Sequence, residues 1–232
     1  VILLKTCSVL LTVLAYWGAK QINRRKPGLL FSPAVLGSFS LMGILVWSGL
    51  PYQVYREGTS LFQEMLGIVT VAFAVPLHRN WPILRANWRV IVFSLTIGSA
   101  VGVLAGVATT MLLGLGPEAA LSVIPRSITL PIAIALSESL QGVTSLTAVF
   151  VMLTSFAGVF LGPKIIRHFS VRHPLAIGMM YGLGAHALGT VKAFEHGDLE
   201  GTCSSLSLIV GAVATVVWAL TLMPVIQVWI GR

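Results

Sequence analysis

Apolar runs close to the roughly 20 residues that a bilayer crossing needs recur along the whole chain, at 1–19, 29–50, 61–77, 90–114, 117–141, 143–162, 174–192 and 203–230. The first run is longer than a signal-peptide core and has no small-x-small cleavage pattern after it, so it reads as a span. Four runs are interrupted: the second by Pro33, the third by Pro76, the fifth by Pro125 and Pro131, and the seventh by glycines at 182, 184 and 189. Proline removes a backbone donor and clashes with the preceding turn, so these positions predict discontinuous helices.

The polar stretches between the runs carry the topology. Lys20, Arg24, Arg25 and Lys26 make the first loop basic, Arg56 and Glu57 leave the second neutral, and Arg79, Arg85 and Arg89 make the third basic. The fourth holds only Glu118. Basic loops stay on the inner side of a membrane, and to this point the signs alternate. A full crossing by 117–141 would reverse the pattern. It would put Lys164, Arg167 and Arg172 outside, and Glu195, Asp198 and Glu200 inside. A re-entrant hairpin over 117–141, entering and leaving on one face with "PRSITLP" at its tip, removes the conflict and places the acidic loop outside. Irregular backbone at that depth requires surrounding protein or a water-filled cavity.

A shift of 113 residues maps 29–50, 61–77 and 90–114 onto 142–163, 174–190 and 203–227. With the hairpin in place the partners run in opposite directions, which predicts an inverted repeat of three spans (units 29–114 and 142–230), an architecture of secondary transporters. The expected fold is therefore an all-α polytopic membrane protein in one domain, 1–232, with about seven full spans plus one re-entrant hairpin.

Composition agrees. Of 232 residues, 56% are hydrophobic and only 9% charged, against about 25% charged in soluble domains, and mean hydropathy is +0.92. The net charge of +8 sits in short loops between apolar runs, which points to membrane topology and away from nucleic acid. Cys7 and Cys203 are far apart and form no CxxC or Cys/His cluster, so neither a zinc site nor a disulfide framework is indicated. No enzyme motif and no cofactor-binding pattern appears: no enzyme, cofactor or metal is expected.

The candidate chemistry lies at the interruptions. Arg126, flanked by Pro125 and Pro131, is costly at membrane depth. It either snorkels to the headgroups or clamps an anion, since a guanidinium is a planar fork matching a carboxylate. Ser127 and Thr129 add hydroxyls, and the helix beginning near Pro131 offers free N–H groups. Together they favour a small carboxylate. His186, between Gly182, Gly184 and Gly189, is either a packed histidine among small residues or a group that binds substrate or a proton. Glu138, on the returning arm, pairs with Arg126 or accepts a coupling proton, or else is solvated near the hairpin exit. Glu64 marks a first helical turn, Lys192 and Glu195 a span end, "HRNWPILRANWR" (78–89) an interfacial loop, and "SSLS" (204–207) a helix cap or a ligand contact.

The stretches "PEAALSVIPRSITLPIAIALSESLQGVTSLTAVFVMLTSFAGVFLGP" and "GLGAHALGTVKAFEHGDLEGTCSSLSL" resemble the two signature stretches of the LrgB/CidB family, and "AFAVPLHRNWPILRANWR" resembles a weaker third. That family includes bacterial inner-membrane proteins and the C-terminal half of the plastidal glycolate/glycerate translocator. Its pattern has Lys-Ser after the first proline and Ser-His in the later stretch, where this chain has Arg126-Ser127 and Ala185-His186. The resemblance implies one of two functions. The first is secondary transport of small carboxylates such as glycolate, glycerate or pyruvate, coupled to H+ or Na+. The second is holin- or antiholin-like control of murein hydrolases and lysis. It also implies a small LrgA/CidA-type membrane partner or a homo-oligomer, and residence in a bacterial inner membrane or a plastid inner envelope.

Overall fold

The computed structural model describes residues 2–25, 33–72 and 74–229; Lys26 and the expected start of the second span at 29–32 lie outside them. The described residues are helical with no strand. They fall in two compact units, 1–72 and 73–232.

In the first unit, α1 (Ile2–Arg25) packs against α2 (Pro33–Ser48) and α3 (Tyr52–Gly58), and α4 (Ser60–Ala72) follows. The expected basic loop continues α1, whose last turn carries Arg24 and Arg25, where cations suit the helix dipole. Pro33 is the first described residue of α2, so the interruption expected there falls at the edge of the described residues. The Thr12 hydroxyl donates to the Ser8 carbonyl at 2.8 Å, so the Tyr55 hydroxyl, 2.8 Å away, donates to Thr12 and ties α3 to α1.

The second unit begins with α5 (Ala74–Arg79), which contains Pro76, and α6 (Trp81–Ala86). The expected interfacial loop 78–89 is thus largely helical. Within it the Arg89 guanidinium lies 5.7 Å from the Trp88 ring. Among the described residues, three helices are long and apolar enough to cross a membrane: α7 (Trp88–Leu112), α10 (Thr144–His168) and α12 (Asp198–Trp229). Two of the other expected spans, 117–141 and 174–192, are bent segments instead.

Residues 117–141 do not form a straight rod. α8 (Pro117–Val123) runs into a 3-10 turn, Ile124–Ser127, and α9 (Leu130–Ser139) returns. Thr147 at the start of α10 gathers both arms: its hydroxyl donates to the Ser122 carbonyl at 3.0 Å and lies 2.7 Å from the Ser137 hydroxyl. The Val143 N–H donates to the Ser122 hydroxyl at 2.8 Å. In a continuous helix Ser122 and Ser137 would stand roughly 22 Å apart. Such bonds average only about 0.6 kcal/mol between membrane helices, so this network sets geometry more than stability.

The seventh run also folds back, which the sequence did not lead us to expect. α11 (Pro174–His196) turns at His186, whose φ of 50° and ψ of −130° are not helical. Its two arms pack on the same turns of α12. Gly178 lies against Cys203, while on the other arm Thr190 and Ser204 place their hydroxyls 2.9 Å apart and Phe194 covers Gly201. The Tyr181 and His196 rings lie 5.6 Å apart, though fifteen residues separate them. Residues 174–192 therefore enter and leave at one end of the unit instead of crossing it.

This corrects the loop assignment. Asp198 lies 3.9 Å from Arg79, and the Asn80 amide donates to Thr202 at 2.9 Å. The acidic stretch 195–200 is thus at the same end as the basic segment 79–89, not opposite it. Acidic residues count little in the positive-inside rule; Arg79, Arg85, Arg89, Lys164, Arg167 and Arg172 still share that end, and Glu118 has the other. It also bears on the repeat. Ile91 and Leu95 share a cluster with Cys203, and Val103 and Val107 share one with Ala219 and Ile226, while the Trp218 indole donates to the Thr96 carbonyl at 2.8 Å. α7 and α12 thus run in the same direction, so the inverted repeat of three spans finds no support in this packing.

Candidate functional site

The two folded-back segments, entering from opposite ends, meet tip to tip. The His186 Nε2–H donates to the backbone carbonyl of Arg126 at 3.0 Å. Because a carbonyl can only accept, this contact requires a proton on Nε2. The histidine is 3% exposed. Gly189 allows the turn: a Cβ there would run into the Tyr181 carbonyl and come within 2.7 Å of the Ala185 Cβ.

Arg126 lies in the 3-10 turn because Pro125 sits in that turn's first positions and the chain becomes extended at Ile128, φ −133° and ψ 170°. Thr129, extended, is the N-cap of α9, with Pro131 at the second helical position. The Arg126 side chain crosses to α7 and α10. Nη2 donates to the Gly102 carbonyl at 3.2 Å and Nη1 to the Thr154 hydroxyl at 3.5 Å. Nε is buried without an acceptor. Among the described residues the ion pairs are Arg79–Asp198 and Lys192–Glu195, so no carboxylate compensates the guanidinium. Glu138, exposed on the last turn of α9, does not pair with it.

The guanidinium reaches a cavity of about 780 Å³ between α7 and α10, floored by the tips. Of the residues expected at the site, Arg126, Ser127 and Gly184 line it; Thr129, His186, Gly189 and Glu138 do not. His186 stands one hydrogen bond behind, holding the backbone that carries Arg126. Ser204, Ser205 and Ser207 are buried in the α11–α12 contact, with the hydroxyls of Ser205 and Ser207 donating to the Gly201 and Cys203 carbonyls. They serve packing there, not a cap or a ligand.

Sequence reasoning missed Thr154 and the glycines of α7. Gly98, Gly102 and Gly106 recur every four residues on one face, the small-xxx-small spacing that lets a neighbour approach closely. A Cβ on Gly106 would stand 2.9 Å from the Arg126 Nε, and one on Gly102 3.5 Å from the Ser127 hydroxyl. That spacing was a usable signal. No cluster of His, Cys, Asp or Glu able to hold a metal ion occurs among the described residues.

The chain matches the LrgB-like family over residues 12–225. It is 39% identical to YwbG of Bacillus subtilis, covering 90% of this chain and 92% of the relative. It is 34% identical to YxaC of the same organism, covering 88% and 89%. It is 30% identical to the holin-like protein CidB of Staphylococcus aureus, covering 88% and 90%. No solved structure matches. With nearly its whole length matched, and with the proline-flanked Arg126 and the glycine-flanked His186 meeting at its centre, this membrane-embedded helical protein belongs to the LrgB-like family.

Proposed function

We propose that this chain is a secondary carrier, not an enzyme, that moves small carboxylate anions across a bacterial inner membrane. The observation that carries the reading is the guanidinium of Arg126, held without a counter-ion at the meeting point of two folded-back segments and open to a cavity between two membrane-length helices. A buried charge lacking its partner is expensive, and a charge-assisted bond to a carboxylate is about twice as strong as a neutral one. In this reading 117–141 and 174–196 are re-entrant from opposite faces, α7, α10 and α12 cross, and H+ or Na+ couples the movement. Glycolate, glycerate and pyruvate are the first substrates to try, and the plastid inner envelope is the alternative location. The test is uptake of labelled carboxylates into proteoliposomes holding the pure chain, and then the chain with a small LrgA-type partner or as a cross-linked homo-oligomer. Arg126-dependent uptake supports the carrier; no uptake in any form rejects it.

A second reading is holin- or antiholin-like control of murein hydrolase activity and lysis. The likeness to holin-like CidB carries it, and relatedness by itself favours it over transport. Altered autolysis on expression of an uptake-inactive chain would support it.

A further inference from the structure

We infer that Thr154 and Ser127 form a subsite for an oxygen on C2 of the bound acid, so that the site favours 2-hydroxy and 2-oxo acids over acids that carry only hydrogen there. This inference rests on the carboxylate reading of Arg126 and names the residues that choose among carboxylates. Hydroxyls inside the crossing helices mostly bond to their own backbone. Thr109 donates to the Ala105 carbonyl at 2.7 Å, Ser155 to Val151 at 2.9 Å, Thr215 to Gly211 at 2.7 Å and Thr221 to Val217 at 2.8 Å. Such a bond satisfies a donor that water cannot reach in a bilayer. Thr154 departs from that pattern. It is the neighbour of Ser155 on α10, yet among the described residues its hydroxyl only accepts, from Arg126 Nη1 at 3.5 Å. Its own proton is uncommitted.

The Ser127 hydroxyl has no partner among the described residues. It would lie 3.5 Å from a Cβ on Gly102, the residue whose carbonyl takes Arg126 Nη2. Glycine at 102 leaves that side of the hydroxyl open. One uncommitted hydroxyl therefore stands at Nη1 and the other at the glycine that holds Nη2. Both residues are half-buried and line the same cavity as the guanidinium.

A carboxylate on the guanidinium carries its C2 substituent one bond beyond the charged group, toward the hydroxyls that flank the nitrogens. Thr154, with a lone pair facing Nη1, has a proton to donate to an oxygen there. Ser127, with no fixed partner, can turn to donate to an oxo oxygen or to accept from a hydroxyl. Both kinds of acid are thus served. An acid with only hydrogens at C2 displaces water from two hydroxyls and replaces none of its bonds. Polar groups left unpaired by a ligand discriminate far more strongly than a missing methylene does.

The test is calorimetric binding to the protein in lipid nanodiscs, with empty nanodiscs subtracted. Three acids of equal carbon count differ only at C2: lactate in both enantiomers, pyruvate and propanoate. Pyruvate and the tighter lactate enantiomer should each bind at least about tenfold more tightly than propanoate, the scale of one to two hydrogen bonds. Thr154→Val, which keeps the shape and removes the hydroxyl, and Ser127→Ala should each shrink that gap at least about threefold. Thr154→Ser, which restores a hydroxyl, should recover most of it. Propanoate reads the placement of Arg126 alone, so a variant that weakens all three acids equally has lost a hydroxyl that only supports the guanidinium. That result, equal binding of the three acids by the parent, or a gap that either variant leaves whole, overturns this inference, while Arg126-dependent binding keeps the carboxylate reading standing. No binding of any acid, or binding that ignores Arg126→Ala, overturns the carboxylate reading itself.

Discussion

The imidazole of His186, at the turn of one folded-back segment, donates a hydrogen bond to the backbone carbonyl of Arg126, at the turn of the other. The contact joins residues sixty positions apart in sequence and sets the height of the guanidinium above the cavity. It also holds a backbone whose φ of 50° suits glycine better than histidine.

Two effects can therefore be separated at position 186. His186→Gly relieves the strain and His186→Ala does not, so the glycine variant should unfold later, by about 1 kcal/mol. Both lose the donor, and both should lose about tenfold or more in carboxylate affinity, the scale of an unmade buried bond. His186→Gln, which keeps an N–H donor, should fall between these and the parent. Stability by thermal melting and affinity by calorimetry on one set of samples check this; an affinity that follows stability across the three variants would refute a positioning role.

Arg126→Ala should remove carboxylate binding and uptake while the protein still inserts, because its contacts with Gly102 and Thr154 are few. Arg126→Lys should keep part of the activity at lower affinity, having the charge without the planar fork. Uptake and binding on monodisperse protein decide it; unchanged affinity in the alanine variant would end the clamp.

Gly106→Val should act like a weakened Arg126 without altering any charge. Its Cβ would come 2.9 Å from the Arg126 Nε and 3.4 Å from the Val123 side chain, forcing the guanidinium off the α7 wall. Affinity should drop at least about tenfold, since misplacement by an ångström is enough to break a charge-assisted bond. The comparison is calorimetry against the parent.

Single cysteines in a background lacking Cys7 and Cys203 test the two fold-backs. Positions 118 and 141 should label from one face, and 172 and 197 both from the other. Labelling of 172 and 197 from opposite faces would show that α11 crosses; the same result for 118 and 141 would show that the fifth segment does.

Some of this was legible in residue order alone. Membrane residence follows from apolar runs of crossing length and a charge share far below that of a soluble domain, since composition is a local property. The fold-back at 117–141 was legible because two prolines and a charge conflict mark it, and the importance of Arg126 because a guanidinium in an apolar run has few innocent explanations. The fold-back at His186 was not. Its glycines suit close packing as well as a turn, and the acidic loop after it suggested the wrong end because acidic residues hardly constrain topology. What only the tertiary structure decided are the contacts between distant segments: the two tips joined by His186, Gly102 and Thr154 holding the guanidinium, and α7 running parallel to α12. Those depend on which helix faces fit together, and packing of that kind is a property of pairs of surfaces that no single stretch of sequence contains.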